Sequence, residues 1–274
     1  RQALTLSLTM KLPDYETLSL SWPHDQVLLV TLNRPDVGNA LNTQMAHDML
    51  DLWRRLEADG QDVRCVVLTG SGDKIFCAGG DLKERNGMTQ EAWNRQHELF
   101  ERMFWQMGDL PQPLIAAING HAYAGGLEMA LMCDFAYASD RARYAFTEVA
   151  IGIMPGAGGT QNLPRAIGLR RAKEMLMTAR PITAERALEW GLVNALYPAD
   201  QVLKASLDAA QAIAQNAPLS IRQVKKSVRY GSQMEIRTAY RFEIEAYNHL
   251  VGTQDRLEGV KAFNEKRKPV FKGR

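Results

Sequence analysis

The chain has 274 residues, of which 46% are hydrophobic and 23% are charged. This is an ordinary globular composition, and a core of that size needs no disulfide or metal ion to stabilise it. The net charge of +2 gives no basis for predicting a nucleic-acid partner, because such partners select strongly basic surfaces.

Cysteine and histidine usage excludes the common metal and disulfide frameworks. Cys65, Cys77 and Cys133 stand alone, without a Cys-x-x-Cys pair, and the five histidines form no His-Glu-x-x-His motif. We therefore expect a reducing, cytoplasmic location and no metal. No run approaches the roughly 18 apolar residues of a membrane-spanning helix, so no membrane association is expected. Residues 1–9 are too short and polar for a signal peptide, which makes Met10 a candidate natural start.

The first half of the chain alternates between strand and helix patterns. An apolar, β-branched run predicts a strand at residues 26–32, bounded by Pro23, and a helix follows from Thr43 to Gly60. Residues 63–69 are almost all apolar, as in a strand buried on both faces. A glycine-rich segment at 70–87 is predicted to be a long functional loop.

The alternation continues toward the middle of the chain. A helix at 89–107 precedes a strand at 113–118, and a helix at 125–132 precedes short strands at 135–138 and 144–146. Strands that alternate with helices predict a mainly parallel sheet flanked by helices, which is the α/β class.

After about Gly158, strand signals nearly vanish and helical periodicity dominates. Helices are predicted at 201–215, 219–228, 236–251 and 254–266. We divide the chain into a core at 10–200 that holds the site and a helical region at 201–274. Periodicity leaves open whether this region packs on its own core or on a neighbour.

Three glycine-rich loops are candidates for ligand binding. They are Cys77-Ala78-Gly79-Gly80-Asp81, Ala124-Gly125-Gly126 and Pro155-Gly156-Ala157-Gly158-Gly159. In parallel α/β sheets, ligands bind beyond the carboxyl ends of strands. Glycine lets a ligand approach the backbone, and two free N–H groups converging on one carbonyl oxygen make an oxyanion hole. Each loop alone could equally serve a tight turn. No P-loop, dinucleotide fingerprint or serine-hydrolase elbow is present.

Two glutamates lie beside these loops. Glu128 follows Gly125-Gly126 at the start of a helix, and Glu148 precedes the third glycine loop. Either alone could be a capping residue at a helix end, where negative charge is favourable. Together in one apolar pocket, they could act as general acid and general base and move water onto or off a double bond.

With these motifs, the chain from about Tyr15 to Lys272 resembles the crotonase superfamily of enoyl-CoA hydratases and isomerases. Four segments carry the resemblance, and they are residues 33–41, 76–83, 118–128 and 151–161. The resemblance implies a spiral of stacked ββα turns, with the C-terminal helical region used to form a homotrimer or a homohexamer.

The resemblance also implies a reaction and roles for individual residues. The substrate would be a coenzyme A thioester whose carbonyl oxygen accepts hydrogen bonds from Gly80 and Gly125. The reaction implied is reversible syn-hydration of a trans-2-enoyl-CoA. Glu128 would activate the water, and Glu148 would protonate C2. Coenzyme A would belong to the substrate, and no separate cofactor is expected.

The resemblance also implies coenzyme A contacts in two parts of the chain, residues 37–83 and the C-terminus. The implied residues are Val37, Ala78, Gly79, Asp81, Leu82, Lys83, Phe263 and Lys266. The basic run that includes Lys266 could instead be a solvated tail. Gly38 and Gly80 stand where many hydratases carry a larger residue, which predicts a wider pocket.

Other chemistries remain open at this point. Both glutamate positions are filled, whereas isomerases and decarboxylating relatives commonly lack the first. Some homologues with both glutamates dehydrate carnitinyl-CoA or act on cyclic acyl-CoAs. Some crotonase-like proteins bind RNA, which the near-neutral charge makes a remote alternative.

Overall fold

The computed structural model describes residues 10–274. The first nine residues, for which the sequence predicts only the absence of a signal peptide, lie outside this range. The strands of the described part are β1 Leu18–His24, β2 Val27–Leu32, β3 Cys65–Gly70, β4 Ile75–Cys77, β5 Leu114–Ile118, β6 His121–Tyr123, β7 Phe135–Ser139, β8 Arg143–Ala145, β9 Ile182–Thr183 and β10 Ala195–Tyr197. The α-helices are α1 Thr43–Asp59, α2 Leu82–Arg85, α3 Gln90–Asp109, α4 Gly125–Met132, α5 Gly159–Ile167, α6 Leu169–Thr178, α7 Ala184–Trp190, α8 Val202–Ala214, α9 Pro218–Gly231, α10 Ile236–Val251 and α11 Gln254–Asn264.

The larger sheet has six strands in the order β1-β2-β3-β5-β7-β10. Only the β1–β2 pair is antiparallel, and each of the other neighbouring pairs is parallel. Every residue of β3 and β5 is buried, as expected for central strands covered by helices on both faces. The near-continuous apolar runs of these strands follow from this double coverage.

Helices cover both faces of this sheet. One face packs against α1 and α3 in the main core, which includes the fully buried Trp53 and Phe104. The other face carries a smaller apolar cluster formed between α8 and the central strands, which includes Val202 and Ala210 of α8 with Val67 and Ile115. The first helix of the predicted C-terminal region therefore packs on the sheet of its own chain.

A second sheet has four strands in the order β4-β6-β8-β9. Its first three strands each follow a long strand of the larger sheet, so that β3-β4, β5-β6 and β7-β8 repeat as pairs before the next helices. Because β4, β6 and β8 pair in parallel, successive repeats stack. This confirms the predicted α/β spiral of ββα turns followed by C-terminal helices.

The structure corrects three details of the predicted elements. Pro23 lies inside β1, an edge strand where its missing N–H costs no ladder hydrogen bond. The segment 70–87 is not one long loop, because it contains β4 and α2. Residues 159–200 hold two further short strands, β9 and β10.

The last three helices are less covered by the rest of the chain. Helices α9 and α10 pack against each other, and several of their apolar side chains are exposed, among them Val224, Val228, Tyr240 and Ile244. The role in trimerisation and the boundary near residue 200 stay predictions. No helix within residues 10–274 has both the length and the apolarity needed to cross a bilayer.

Candidate active site

One cavity of about 520 Å³ opens where the glycine loops meet. Six of the predicted site residues line it, namely Ala78, Gly80, Leu82, Gly125, Glu128 and Glu148. The third glycine loop contributes Pro155, Gly156 and Ala157 to the same wall. Segments distant in sequence therefore converge on one space, as the strand-to-helix loops of a parallel sheet do.

Among the described residues, the backbone N–H of Gly80 has no partner, because of the way its loop pairs with Leu41. Leu41 N donates to Gly79 O at 2.7 Å, and Asp81 N donates to Leu41 O at 3.0 Å. In such a parallel bridge the residue between the two bonded neighbours turns its own N–H to the opposite side. Gly80 therefore has a donor directed away from Leu41 and available to a ligand.

The second donor is Gly125, the first residue of α4. The N–H groups of a helix's first turn have no partner inside the helix and carry the positive end of its dipole. The preceding Ala124 has φ 48° and ψ −124°, a costly conformation for a residue with a Cβ. A Cβ on Gly125 would lie 3.8 Å from Gly80 N, so the two loops lie side by side.

Close packing of the loops explains two of the neighbouring glycines. Gly79 has φ +94°, and a Cβ there would lie 2.8 Å from the Cβ of Ala124. A Cβ on Gly126 would lie 2.3 Å from the carbonyl oxygen of Cys77. Only glycine permits this approach, which places the two candidate donors beside each other.

Glu128 is a buried carboxylate held by backbone donors. It lies in the first turn of α4, and its Oε1 accepts hydrogen bonds from Ala157 N and Gly159 N, both at 2.8 Å. Burial raises the pKa of Glu128, while these two hydrogen bonds favour the ionised form and oppose the increase. A Cβ on Gly159 would lie 2.9 Å from Oε1, so this glycine is needed for the contact.

Glu148 occupies a different environment. It is 7% exposed, begins the 3-10 helix Glu148–Ile151, and its buried Oε2 has no hydrogen-bond partner within residues 10–274. Burial, together with repulsion by the Glu128 carboxylate, raises the pKa of Glu148 to about 7. Two carboxyl groups in one cavity therefore differ in their readiness to hold a proton, which is the arrangement of an acid and a base.

The residues predicted to contact coenzyme A fall into three groups. Ala78 and Leu82 line the cavity, and Val37 lies next to this loop, since Ala78 N donates to Gly38 O at 3.0 Å. Lys83 is exposed at the start of α2. Phe263 is 84% exposed and Lys266 is exposed, and neither lines the cavity within the described chain.

The carboxylate of Asp81 is bound by other groups of the protein. Its Oδ1 accepts from the N–H groups of Lys83 and Glu84 as the cap of α2, and its Oδ2 pairs with Arg34 at 2.9 Å. Although burial opposes ionisation, the Arg34 and backbone hydrogen bonds keep the pKa of Asp81 below its usual value. The carboxylate of Asp81 therefore stabilises the loop and the start of α2, and its contact with coenzyme A stays a prediction.

Sequence reasoning missed one wall of the cavity. Arg85 of α2 and four residues of α3, Trp93, His97, Phe100 and Phe104, line it. The four α3 residues are spaced by four, three and four positions, which puts them on one face of the helix. This spacing is visible in the sequence and indicates an apolar helix face, although an aromatic stripe is equally typical of a helix that faces the core.

Among the described residues of the site and of the rest of the chain, residues 10–274, no three His, Cys, Asp or Glu side chains lie close enough together to hold a metal ion.

The family model described as enoyl-CoA hydratase/isomerase matches residues 23–274. The chain belongs to this family. It is 39% identical over 243 residues to the short-chain-enoyl-CoA hydratase of Clostridium acetobutylicum, an alignment that covers 89% of this chain and 93% of that protein. It is 37% identical over 251 residues to the 2,3-dehydroadipyl-CoA hydratase of Escherichia coli, with coverage of 91% and 96%.

Solved structures agree with the sequence comparison. The crystal structure of an enoyl-CoA hydratase from Bacillus anthracis superposes with a TM-score of 0.92 at 39% identity, covering 94% of this chain and all of that one. The predicted membership of the crotonase superfamily is confirmed. The relatives differ in the acyl group that their names specify, so family membership does not define the substrate of this chain.

Proposed function

We propose that this protein is an enoyl-CoA hydratase, which adds water reversibly to a trans-2-enoyl-CoA and forms a 3-hydroxyacyl-CoA. The observation that carries the proposal is the pair Glu128 and Glu148, two buried carboxyl groups with unlike surroundings in one cavity. Both named relatives are hydratases of enoyl-CoA thioesters, which supports the same reaction class here.

Binding of the thioester would begin at the backbone. The N–H groups of Gly80 and Gly125 would donate hydrogen bonds to the thioester oxygen. This contact withdraws electrons from the conjugated double bond and makes C3 electrophilic. As water adds, negative charge develops on that oxygen, and preorganised donors stabilise it more than they stabilise the ground state.

The two glutamates would then divide the proton transfers. Glu128, whose Oε1 accepts hydrogen bonds from Ala157 N and Gly159 N, takes a proton from water as the water oxygen bonds to C3. Glu148, whose raised pKa keeps it protonated below about pH 7, gives its proton to C2. Transfer of the proton from Glu128 to Glu148 restores the starting state, and the net change is one water added.

The remaining expectations extend this proposal. No cofactor is required, because coenzyme A is part of the substrate and the cavity supplies both acid and base. We propose that Val37, Ala78, Leu82 and Lys83 contact the coenzyme A moiety at the cavity mouth. Assembly as a trimer or hexamer, with Phe263 and Lys266 at the nucleotide end of coenzyme A, is the further expectation from the family.

The decisive test compares Glu128→Gln with Glu148→Gln in an assay that follows loss of the conjugated thioester absorbance. The test set is enoyl-CoAs of graded length, branching and ring content. A hydratase requires both groups, and each substitution should lower kcat by about 10²–10⁴-fold, the usual contribution of a general acid or base. If Glu128→Gln leaves turnover nearly intact while Glu148→Gln abolishes it, the isomerase alternative replaces this proposal. Failure to hydrate every thioester in the set would overturn it as well.

A further inference from the structure

The side chain of Arg85 is fixed at the wall of the cavity. Its guanidinium lies over the ring of Trp93 at 4.4 Å and near the ring of Phe100 at 5.2 Å, and its Nε donates to Oε1 of Gln96 at 2.8 Å. Gln96 is 4% exposed. Two aromatic faces and one buried amide thus orient a planar cation.

The amide of Gln96 is itself immobilised. Its Nε2 donates to Oγ1 of Thr43 and to Oε2 of Glu84, both at 2.8 Å. This leaves Oε1 as the acceptor for Arg85 and sets the direction in which the guanidinium points. The arrangement holds a long, flexible side chain in one place, which is a requirement of a preorganised binding site.

Burial lowers the pKa of Arg85, and the Glu84 carboxylate raises this pKa through space but forms no ion pair with the guanidinium. Within residues 10–274, no carboxylate oxygen lies within 4 Å of the Arg85 nitrogens, and neither terminal nitrogen donates a hydrogen bond. A guanidinium nevertheless remains charged at any physiological pH. The two terminal nitrogens of this half-buried guanidinium are therefore available to pair with a ligand.

The position of Arg85 relative to the reacting centre is set by Gly80. A Cβ on Gly80 would lie 3.3 Å from Nη1 of Arg85, so the missing side chain makes room for the guanidinium. The sequence predicted that the missing side chain at Gly80 widens the pocket. In the structure the guanidinium of Arg85 occupies this space, beside the candidate oxyanion donor. Arg85 is also the only lysine or arginine among the described residues that line the cavity.

We propose that Arg85 binds a carboxylate carried by the acyl chain, so that the site selects enoyl-CoA thioesters whose short chain ends in a second carboxyl group. This inference rests on the proposed function for the reaction but not for the binding. A guanidinium presents parallel donors that match a carboxylate. It would also offset the repulsion that the Glu128 carboxylate exerts on a second carboxylate in the cavity.

The phosphates of coenzyme A are a poorer match. They are separated from the thioester by the whole pantetheine arm, whereas Arg85 lies beside Gly80 and shares a wall with the apolar residues of α3. A purely structural role would be satisfied by stacking on Trp93 and Phe100 alone and would leave substrate selection unchanged.

The test measures kcat/KM for matched pairs of substrates that differ only in the terminal carboxylate. One pair is glutaconyl-CoA and trans-2-pentenoyl-CoA, and the other is 2,3-dehydroadipyl-CoA and trans-2-hexenoyl-CoA. The wild-type enzyme should prefer the carboxylated member of at least one pair. Arg85→Met keeps the length and the stacking but removes the charge. It should reduce that preference about 10- to 100-fold, the range for a hydrogen bond to a charged group.

Two further variants complete the kinetic test. Arg85→Lys, which keeps the charge without the planar fork, should fall between wild type and Arg85→Met. Arg102→Met, on the exposed side of α3, should leave the preference unchanged. The proposal is overturned if wild type shows no preference in either pair. It is also overturned if Arg85→Met weakens both members of each pair equally, which would assign Arg85 to coenzyme A or to the fold.

A binding measurement separates this inference from the hydratase proposal. Calorimetric titration with the saturated thioesters glutaryl-CoA and pentanoyl-CoA needs no catalysis. Tighter binding of glutaryl-CoA that disappears in Arg85→Met would support the carboxylate site even if no thioester were hydrated. Equal affinities for both ligands would refute the carboxylate site even if hydration were observed.

Discussion

The raised pKa of Glu148 should affect the pH dependence of the free energy of unfolding as well as catalysis. Burial raises this pKa from 4.5 to about 7 in the folded protein, so folding favours the protonated carboxyl group. The wild-type protein therefore loses stability as the pH rises from about 4.5 and reaches a plateau above about 7. Glu148→Gln replaces the carboxyl group with a neutral amide of the same shape and removes this loss.

The size of the effect follows from the two pKa values. A change of one pKa unit is worth 1.36 kcal/mol, so the full difference corresponds to about 3 kcal/mol above pH 7 and to less than about 1 kcal/mol at pH 5. For a chain of this length, about 3 kcal/mol raises the melting temperature by roughly 5 °C. The variant should thus be more stable than wild type at alkaline pH while it loses hydratase activity.

The assay is unfolding by urea or heat at pH 5 and pH 8.5, at a single protomer concentration because oligomerisation shifts apparent stability. Glu174→Gln serves as the matched control, because Glu174 is exposed on α6 and forms no ion pair within residues 10–274. Its effect should be small at both pH values. A stability gain for Glu148→Gln that is absent, or equal at both pH values, would refute the assignment of a proton-holding carboxyl group to Glu148.

Two other predictions concern the surroundings of the pair. Glu128→Gln removes the repulsion that helps to raise the pKa of Glu148. A carbon-13 NMR titration of Glu148 should therefore show a lower midpoint than in wild type. An unchanged or higher midpoint would contradict the electrostatic coupling between the two carboxyl groups. Gly126→Ala should destabilise the fold by about 1–3 kcal/mol, because its Cβ would lie 2.3 Å from the carbonyl oxygen of Cys77. Gly252→Ala is the control for urea unfolding, since Gly252 has a helical φ of −84° and open space around it. Equal effects of the two substitutions would show that loop packing is not the cause.

Much of the fold could be predicted because long, buried elements carry strong patterns. β3 and β5 are continuous apolar runs, and both are covered on two faces. β4 and β6 were not predicted, because three residues span too little of the pleat to show alternation. The equally short β8 was predicted at 144–146. β1 was hidden by Pro23, which sequence reasoning treats as a boundary although an edge strand tolerates it.

The residues of the site also differ in how well the sequence predicts them. Glu128 and Glu148 could be picked out because each adjoins a glycine-rich loop, and the structure places both in one cavity. Arg85 could not, because a basic residue at the end of a short capped helix is typical of a solvated surface. Its role depends on Trp93 and Phe100, which a different helix brings to it. Contacts between separate elements are what sequence patterns do not contain.

The central claim is that this cavity adds water across the conjugated double bond of a thioester. The most direct measurement is mass spectrometry of the product formed from a trans-2-enoyl-CoA in water labelled with heavy oxygen, and separately in deuterium oxide. The proposed roles of Glu128 and Glu148 predict one solvent oxygen at C3 and one solvent-derived hydrogen at C2. A product with a shifted double bond and no solvent oxygen would contradict the claim.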